Sequence, residues 1–146
     1  MDEIRFYGRY LPYYQFSNFY SAPIMVDGLT YPTTEHYYQS QKTLDLDQQE
    51  KIRLASTPAL CKKLGSEAPL RSDWEKVKEE VMYTALYYKF TQHEDLKQLL
   101  ISTGQRPIAE YTKNDKYWAK YEGSGMNRLG ILLMYLRENL LQSEST

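Results

Sequence analysis

The chain has 146 residues with 18 Lys and Arg against 19 Asp and Glu, which predicts one packed domain without a basic or acidic tail. One cysteine excludes an internal disulfide, and two histidines are too few for a conventional zinc cage. The N-terminus lacks the apolar region of a signal peptide, and the longest apolar run, Leu129 to Leu136, is far shorter than the roughly 20 residues that span a bilayer. We therefore expect a soluble, cytoplasmic protein with no membrane partner.

The N-terminal third has the pattern of short strands. Ile4 to Tyr7 is a candidate strand, and Ala22 to Val26 with Leu29 to Tyr31 predicts a hairpin, because Asp27-Gly28 favours a type I′ turn. Eight of the 15 tyrosines precede Gln39. Such rings either line a pocket for planar ligands or pack half-buried in the core, and composition alone leaves both open.

A helical pattern begins at Thr33, which is a suitable cap, and runs to about Leu44. The spacing places Glu35, Tyr38, Gln39 and Lys42 on one face of this helix. That face is polar where a core-facing stripe would be apolar, which makes it a candidate functional face.

The rest of the chain alternates further helices with one strand and one loop. Helices are predicted at Leu46 to Ala55, Pro58 to Gly65, Ser72 to Phe90, Gln92 to Gly104 and Asn127 to Leu141, with a strand at Pro107 to Thr112 and a loop at Lys113 to Met126. The expected fold class is α+β: a single, mainly helical domain over residues 1 to 146 with a small, mostly antiparallel sheet.

Three polar clusters remain outside the predicted core. They are Phe16-Ser17-Asn18-Phe19, the Glu35 helix face with His36, and Asn114-Asp115 with Trp118. The third cluster leads through Gly123-Ser124-Gly125 into the helix that starts at Asn127, a layout that holds phosphates through free backbone N–H groups. Two carboxylates and a tryptophan beside a phosphate cradle are suited to breaking a glycosidic bond.

Several of these runs resemble one enzyme family. The runs are Phe16-Ser17-Asn18-Phe19, Val26-Asp27-Gly28, Tyr31 to Gln39, Gln41-Lys42, Trp74 to Lys78, Asn114 to Trp118, Asn127 to Gly130, Leu133-Met134 and Leu136 to Glu138. From about Gln15 to Leu141 the chain is similar to the YbiA-like N-glycosidases of the NADAR superfamily. The resemblance implies hydrolysis of the ribose C1–N bond of early riboflavin-pathway intermediates, the ribosylaminopyrimidine phosphates, with release of ribose 5-phosphate. The substrate is then a small nucleotide-like molecule, and neither a metal nor another cofactor is expected.

The resemblance also implies site residues. Glu35 matches the helix-borne acid that orients water or stabilises the cationic sugar, and Asp115 matches a loop acid near the ribose hydroxyls or the water. The implied substrate-binding residues are Phe16, Asn18, His36, Lys42, Asn114, Trp118, Asn127 and Arg128. Among them Trp118 stacks on the substrate, whereas His36 has a supporting or packing role. We expect these segments to meet at one site.

Two other functions stay open. One is removal of ADP-ribose from guanine in nucleic acid, which the near-neutral charge disfavours. The other is a non-catalytic module that binds ADP-ribose or NAD, which the presence of Glu35 and Asp115 disfavours. After Trp118 the family has glycine, whereas this chain has Ala119 to Glu122, where Lys120 offers a charge in place of backbone contacts. The exact nucleobase, the protein partners and the oligomeric state remain open.

Overall fold

The computed structural model describes residues 1–9 and 11–145 of the chain. Its strands are β1 (Ile4–Phe6), β2 (Ile24–Val26), β3 (Leu29–Tyr31) and β4 (Ile108–Glu110). Its helices are α1 (Thr34–Ser40), α2 (Leu46–Arg53), α3 (Pro58–Glu67), α4 (Trp74–Gln92), α5 (Glu94–Ser102) and α6 (Arg128–Ser145), with a 3-10 turn at Tyr14–Phe16. None of the helices in this described part has the length and apolar character needed to cross a membrane.

The predicted fold class is confirmed, since helices dominate and the strands form two small two-stranded sheets. Strands β2 and β3 form the predicted antiparallel hairpin, and the turn residues Asp27 and Gly28 both have the positive φ of a type I′ turn. Strands β1 and β4 pair in parallel, with Ile4 opposite Ile108. Parallel pairing needs a long crossover connection, and the helical chain between the two strands supplies one.

The chain divides into two compact units. Unit 1 comprises Met1–Ser17 and His93–Thr146, and unit 2 comprises Asn18–Gln92. Strands β1 and β4 with helices α5 and α6 belong to unit 1, and β2, β3 and α1 to α4 belong to unit 2.

Helix α1 occupies the interior of unit 2, where it packs against α2, α3, α4 and β3. Each of its seven residues is buried. The helix ends at Ser40 rather than at the predicted Leu44, and Lys42 lies just beyond it. The reason is a backbone bond: the Lys42 carbonyl accepts the Arg71 N–H at 2.8 Å, which directs the chain away from the helix axis.

Helix α3 continues to Glu67, so the predicted stop at Gly65 is wrong. Gly65 is a buried residue in the helix interior. A Cβ atom built on it would collide with the side chain of Gln39 on α1. The glycine therefore serves close packing of α1 against α3 rather than helix termination.

In unit 1, helix α6 packs closely on strand β4 through another helical glycine, Gly130. A Cβ atom at Gly130 would overlap the Ile108 carbonyl oxygen and the Asn127 amide. The Asn127 Nδ2 group donates to that same carbonyl at 3.0 Å. The start of α6 is thus fixed to β4 through a contact that only glycine permits.

We predict that Gly130→Ala destabilises the protein by about 1 to 3 kcal/mol, although alanine is the better helix former, because the added methyl group overpacks the contact with β4. Urea unfolding followed by circular dichroism measures the change. Gln142→Ala on an exposed turn of α6 is the control and is expected to stay within about 0.5 kcal/mol of the unsubstituted chain. A Gly130→Ala chain as stable as this control would contradict the packing argument.

Candidate active site

The predicted site residues divide between the two units. Asn18, Glu35, His36 and Lys42 lie in unit 2. Unit 1 holds Phe16, Asn114, Asp115, Trp118, Asn127 and Arg128.

Asn18 anchors the N-terminus of α1. Its backbone carbonyl accepts the Glu35 N–H at 3.2 Å, and its Oδ1 accepts the Thr34 hydroxyl at 2.7 Å. Its Nδ2 group lies 3.5 Å from the Met82 sulfur and donates to it. The first N–H groups of a helix have no partner within the helix, and the Asn18 carbonyl satisfies one of them. This bond fixes the backbone position of Glu35 in the first turn of α1.

Glu35 presents a carboxylate that is held almost out of water, with 8% of the residue exposed. Its Oε2 atom accepts a hydrogen bond of 2.6 Å from Nε2 of Gln39, one helical turn later. Gln39 itself is 2% exposed. A charged acceptor makes this bond stronger than one between neutral groups.

Lys42 supplies a positive charge near Glu35. Burial lowers the pKa of the Lys42 ammonium, the negative charge of Glu35 acts to raise it, and the charge of Lys62 acts to lower it. The ammonium group also lies 5.5 Å from the centre of the Tyr38 ring. Lys42 lies beyond the end of the helix that was expected to include it, yet its ammonium group still interacts with the charge of Glu35.

Cys61 is fully buried on α3. Its S–H donates to the Pro58 carbonyl at 3.0 Å. Burial, and next the negative charge of Glu35, raise the pKa of the thiol well above its usual range. The thiol therefore stays protonated, which removes it as a nucleophile.

His36 is buried in the interior of unit 2 with both ring nitrogens engaged. Nε2 lies 3.0 Å from the Ala55 carbonyl, and Nδ1 lies 2.8 Å from the Thr33 hydroxyl. Because a carbonyl only accepts, Nε2 carries the proton and Nδ1 accepts from Thr33. The same Thr33 oxygen accepts the His36 backbone N–H at 3.2 Å. This geometry favours the supporting role predicted for His36.

In unit 1, Asp115 shapes the loop that carries Trp118. Asp115 Oδ1 accepts the backbone N–H groups of Tyr117 and Trp118, both at 2.9 Å. Trp118 is buried and packs edge-on against the Tyr117 ring, with the ring centres 4.8 Å apart. Asn114 is exposed, and its N–H donates to the Thr112 hydroxyl at 3.2 Å. One carboxylate oxygen of Asp115 thus positions Trp118.

The predicted phosphate cradle at the start of α6 is wrong. The N–H groups of Asn127, Arg128 and Leu129 donate to backbone carbonyls of the preceding loop. The accepting carbonyls belong to Ala119, Tyr117 and Trp118, at 3.0 to 3.1 Å. The Asn127 Nδ2 group also donates to the Ile108 carbonyl. The glycine spacing in the sequence does not reveal that the loop itself occupies these donors.

Phe16 lies in the core of unit 1 and is fully buried. Its ring meets Phe6 edge-on at 5.9 Å between centres and stacks with Tyr13 at 5.5 Å. This placement favours packing over direct contact with a substrate. Among residues 1–9 and 11–145 there is no group of three or more His, Cys, Asp or Glu placed to hold a metal ion.

The helical spacing places Gln39 on the Glu35 face but predicts no function for it, and no sequence pattern predicts a part in the site for Gly65. The i, i+4 spacing from Glu35 is the signal that identifies Gln39 as a contact of the carboxylate. No local pattern identifies Gly65, because its neighbour Gln39 is distant in sequence.

Comparison with known proteins finds similar proteins over most of the chain. The NADAR domain family matches residues 5–141. N-glycosidase YbiA of Escherichia coli is 49% identical over 140 residues, covering 94% of this chain and 88% of that protein. The NMR structure of E. coli YbiA superposes with a TM-score of 0.90 at 47% identity, covering 97% of this chain and 86% of the other. Riboflavin biosynthesis protein VVA0006 of Vibrio vulnificus is 38% identical over 127 residues, covering 85% of this chain and 35% of that protein.

We predict that His36 makes stability depend on pH. Burial lowers the pKa of folded His36 below its ordinary value of 6.5, so the unfolded chain binds the proton more readily. Stability is therefore complete above about pH 6.5 and falls as the pH drops below it, by at most about 1.4 kcal/mol per pH unit for one proton. Urea unfolding between about pH 7.5 and about pH 5.5 measures this slope.

The His36→Gln chain is expected to lose that part of the slope. His93→Gln, which leaves the bonds to Thr33 and Ala55 intact, is the matched control and keeps it. Equal slopes in the unsubstituted and His36→Gln chains would contradict the assignment.

Proposed function

Because the chain belongs to the NADAR domain family, we propose that it is an N-glycosidase that hydrolyses the ribose C1–N bond of early riboflavin-pathway intermediates. The substrates are ribosylaminopyrimidine phosphates, and the sugar product is ribose 5-phosphate. The observation that carries the proposal is the buried Glu35 carboxylate, which Gln39 orients and whose charge interacts with Lys42. It occurs in a chain that is 49% identical in sequence to an N-glycosidase. We also propose that residues 1 to 146 form one NADAR domain.

Glu35 is suited to the difficult part of this reaction. As the C1–N bond breaks, its electron pair leaves with the pyrimidine's amine nitrogen and positive charge develops on the ribose ring. Water then adds its oxygen to C1, and the proton that it loses is taken up by the released amine. A carboxylate fixed in a site of low dielectric stabilises that charge more strongly than one in water. Since Glu35 is buried and hydrogen-bonded, we assign it this stabilisation and the orientation of the water.

Lys42 is assigned to the substrate phosphate. It is half-buried, and the charge of Lys62 acts on it directly, so two ammonium groups contribute positive potential there. A phosphate would relieve the repulsion between these cations. The phosphate also favours a cytoplasmic location, because a charged substrate does not cross a membrane unaided.

Asp115 and Trp118 are assigned to substrate recognition. Oδ1 of Asp115 is occupied by two backbone N–H groups, so we assign Oδ2 to the ribose hydroxyls or the water. Trp118, which Asp115 positions, offers an aromatic surface for the pyrimidine.

We predict that Glu35→Gln abolishes the release of ribose 5-phosphate while the fold is retained, because a neutral amide cannot stabilise the cationic sugar. The assay is mass spectrometry of freshly prepared 5-amino-6-ribosylaminouracil 5′-phosphate with each chain. The loss expected for a group acting in the transition state is at least about a hundredfold in kcat. Glu50→Gln on an exposed turn of α2 is the matched control and keeps full activity.

Two outcomes would count against the proposal. Normal turnover by Glu35→Gln would remove Glu35 from the chemistry. Turnover of ADP-ribosylated guanine, with no turnover of the riboflavin intermediate, would replace the substrate class.

We predict that two substitutions of Asp115 separate its charge from its role in the loop. Asp115→Asn keeps an Oδ1 that accepts from Tyr117 and Trp118, so the melting temperature is retained while kcat/KM falls about tenfold, the loss for one polar contact of about 1.4 kcal/mol. Asp115→Ala loses the loop bonds as well and lowers both stability and activity. Unchanged kcat/KM in Asp115→Asn would restrict Asp115 to shaping the loop.

A further inference from the structure

Gln39 carries an uncompensated polar atom in the interior of unit 2. Its Nε2 group donates to Glu35, whereas its Oε1 is buried without a hydrogen-bond partner among the described residues. A buried acceptor without a partner lowers stability, and native proteins keep few of them. An apolar side chain of similar size would fill the same space without that cost.

Gly65 lowers helix stability at the same contact between α1 and α3. Glycine in a helix interior is less favourable than alanine, yet alanine is excluded here because its methyl group would meet Gln39 Oε1, Cβ and Cδ. The helix therefore keeps a poor helix former at the position that faces Gln39. Packing alone does not account for either cost, since a leucine on α1 and an alanine on α3 are the ordinary choices for a helix contact.

We propose that Gln39 is a positioning residue for the Glu35 carboxylate and that Gly65 leaves the space that lets it act. The inference rests on the proposed N-glycosidase function and adds to it the group that orients its acid. With Oε1 turned toward Gly65, the amide must present its N–H to Glu35. That bond fixes the carboxylate in one orientation and favours its charged form.

A positioning role and a structural role predict opposite results for Gln39→Leu. A structural role predicts lower stability. The positioning role predicts an unchanged or higher melting temperature, because the uncompensated oxygen is removed, and a kcat lower by about ten- to a hundredfold, because a hydrogen bond to a charged group is lost. KM changes less than kcat, since the proposed role of Gln39 acts through Glu35.

The pH profile supplies a second readout. Without the Gln39 bond the charged form of Glu35 is less favoured, so its pKa rises and the acid limb of kcat/KM moves to higher pH. Lys42 beyond α1 and Cys61 on α3 also interact with the Glu35 charge, and Lys62 on α3 interacts with Lys42. All three side chains are retained in the variant, so the movement reports on the bond from Gln39.

The experiment compares four chains with the unsubstituted protein: Gln39→Leu, Gln39→Met, Gly65→Ala and the double variant Gln39→Leu with Gly65→Ala. Gln39→Met tests the same loss with a more adaptable side chain in case leucine packs poorly. Gly65→Ala alone lowers kcat by displacing Gln39, and in the Gln39→Leu background it lowers kcat no further, which is the coupling expected for one unit. Gln98→Leu is the matched control, because Gln98 makes the same i, i+4 bond to Glu94 on an exposed face. Its kcat and pH profile stay unchanged.

Failure of this inference is distinguishable from failure of the proposed function. If the unsubstituted chain releases ribose 5-phosphate and Gln39→Leu and Gln39→Met match it in kcat and pH profile, the positioning role is overturned while the function stands. If the unsubstituted chain is inactive, carbon NMR titration of Glu35, assigned with Glu35→Gln, still tests the bond. An upward shift of the Glu35 pKa in Gln39→Leu supports the role, and no shift overturns it.

Discussion

Helix α1 is buried along its entire length although its sequence is mostly polar, and unit 2 is built around that constraint. A polar group taken out of water lowers stability unless it finds a partner inside the protein. His36 finds Thr33 and the Ala55 carbonyl, Thr34 finds Asn18, and Ser40 finds the Tyr37 carbonyl. These bonds tie the helix to the chain before it and to the end of α2. The Glu35 carboxylate is thus carried by a helix whose polar neighbours are hydrogen-bonded to the surrounding chain.

Both units use the same device to hold a segment that carries candidate site residues. The segment offers backbone carbonyls to the N-terminal N–H groups of a helix, which have no partner within the helix. Asn18 does this for α1, and the loop from Tyr117 to Ala119 does it for α6. A helix N-terminus that is occupied in this way no longer attracts an anion through free N–H groups. Under the proposed function, the positive charge for a phosphate therefore comes from side chains rather than from the occupied N–H groups.

The sequence predicts the features that depend on local pattern, and it does not predict those that depend on contacts between residues distant in the chain. The mainly helical class, the hairpin at Asp27-Gly28 and the position of Glu35 in a first helical turn follow from turn chemistry, capping and periodicity. The end of α1 does not, because Arg71 takes the Lys42 carbonyl from 29 positions away in the chain. The end of α3 is missed for the same reason. Gly65 has the local appearance of a helix boundary, whereas its role is set by Gln39 across a packing contact.

The loop after Trp118, where the resemblance to the family predicts a glycine, is accounted for by the structure. Ala119 is fully buried and is not among the described residues with positive φ, so alanine needs no conformation that only glycine provides. Lys120 forms an ion pair with Glu3, so the positive charge that was expected to contact a ligand is already paired within the protein. Gly125 has φ +111 and lies where a Cβ atom would meet the Ala119 carbonyl oxygen at 2.5 Å, so glycine is kept where the backbone requires it. Asp115 and Trp118 stay together in the turn that precedes this loop, because Oδ1 of Asp115 accepts the Trp118 N–H.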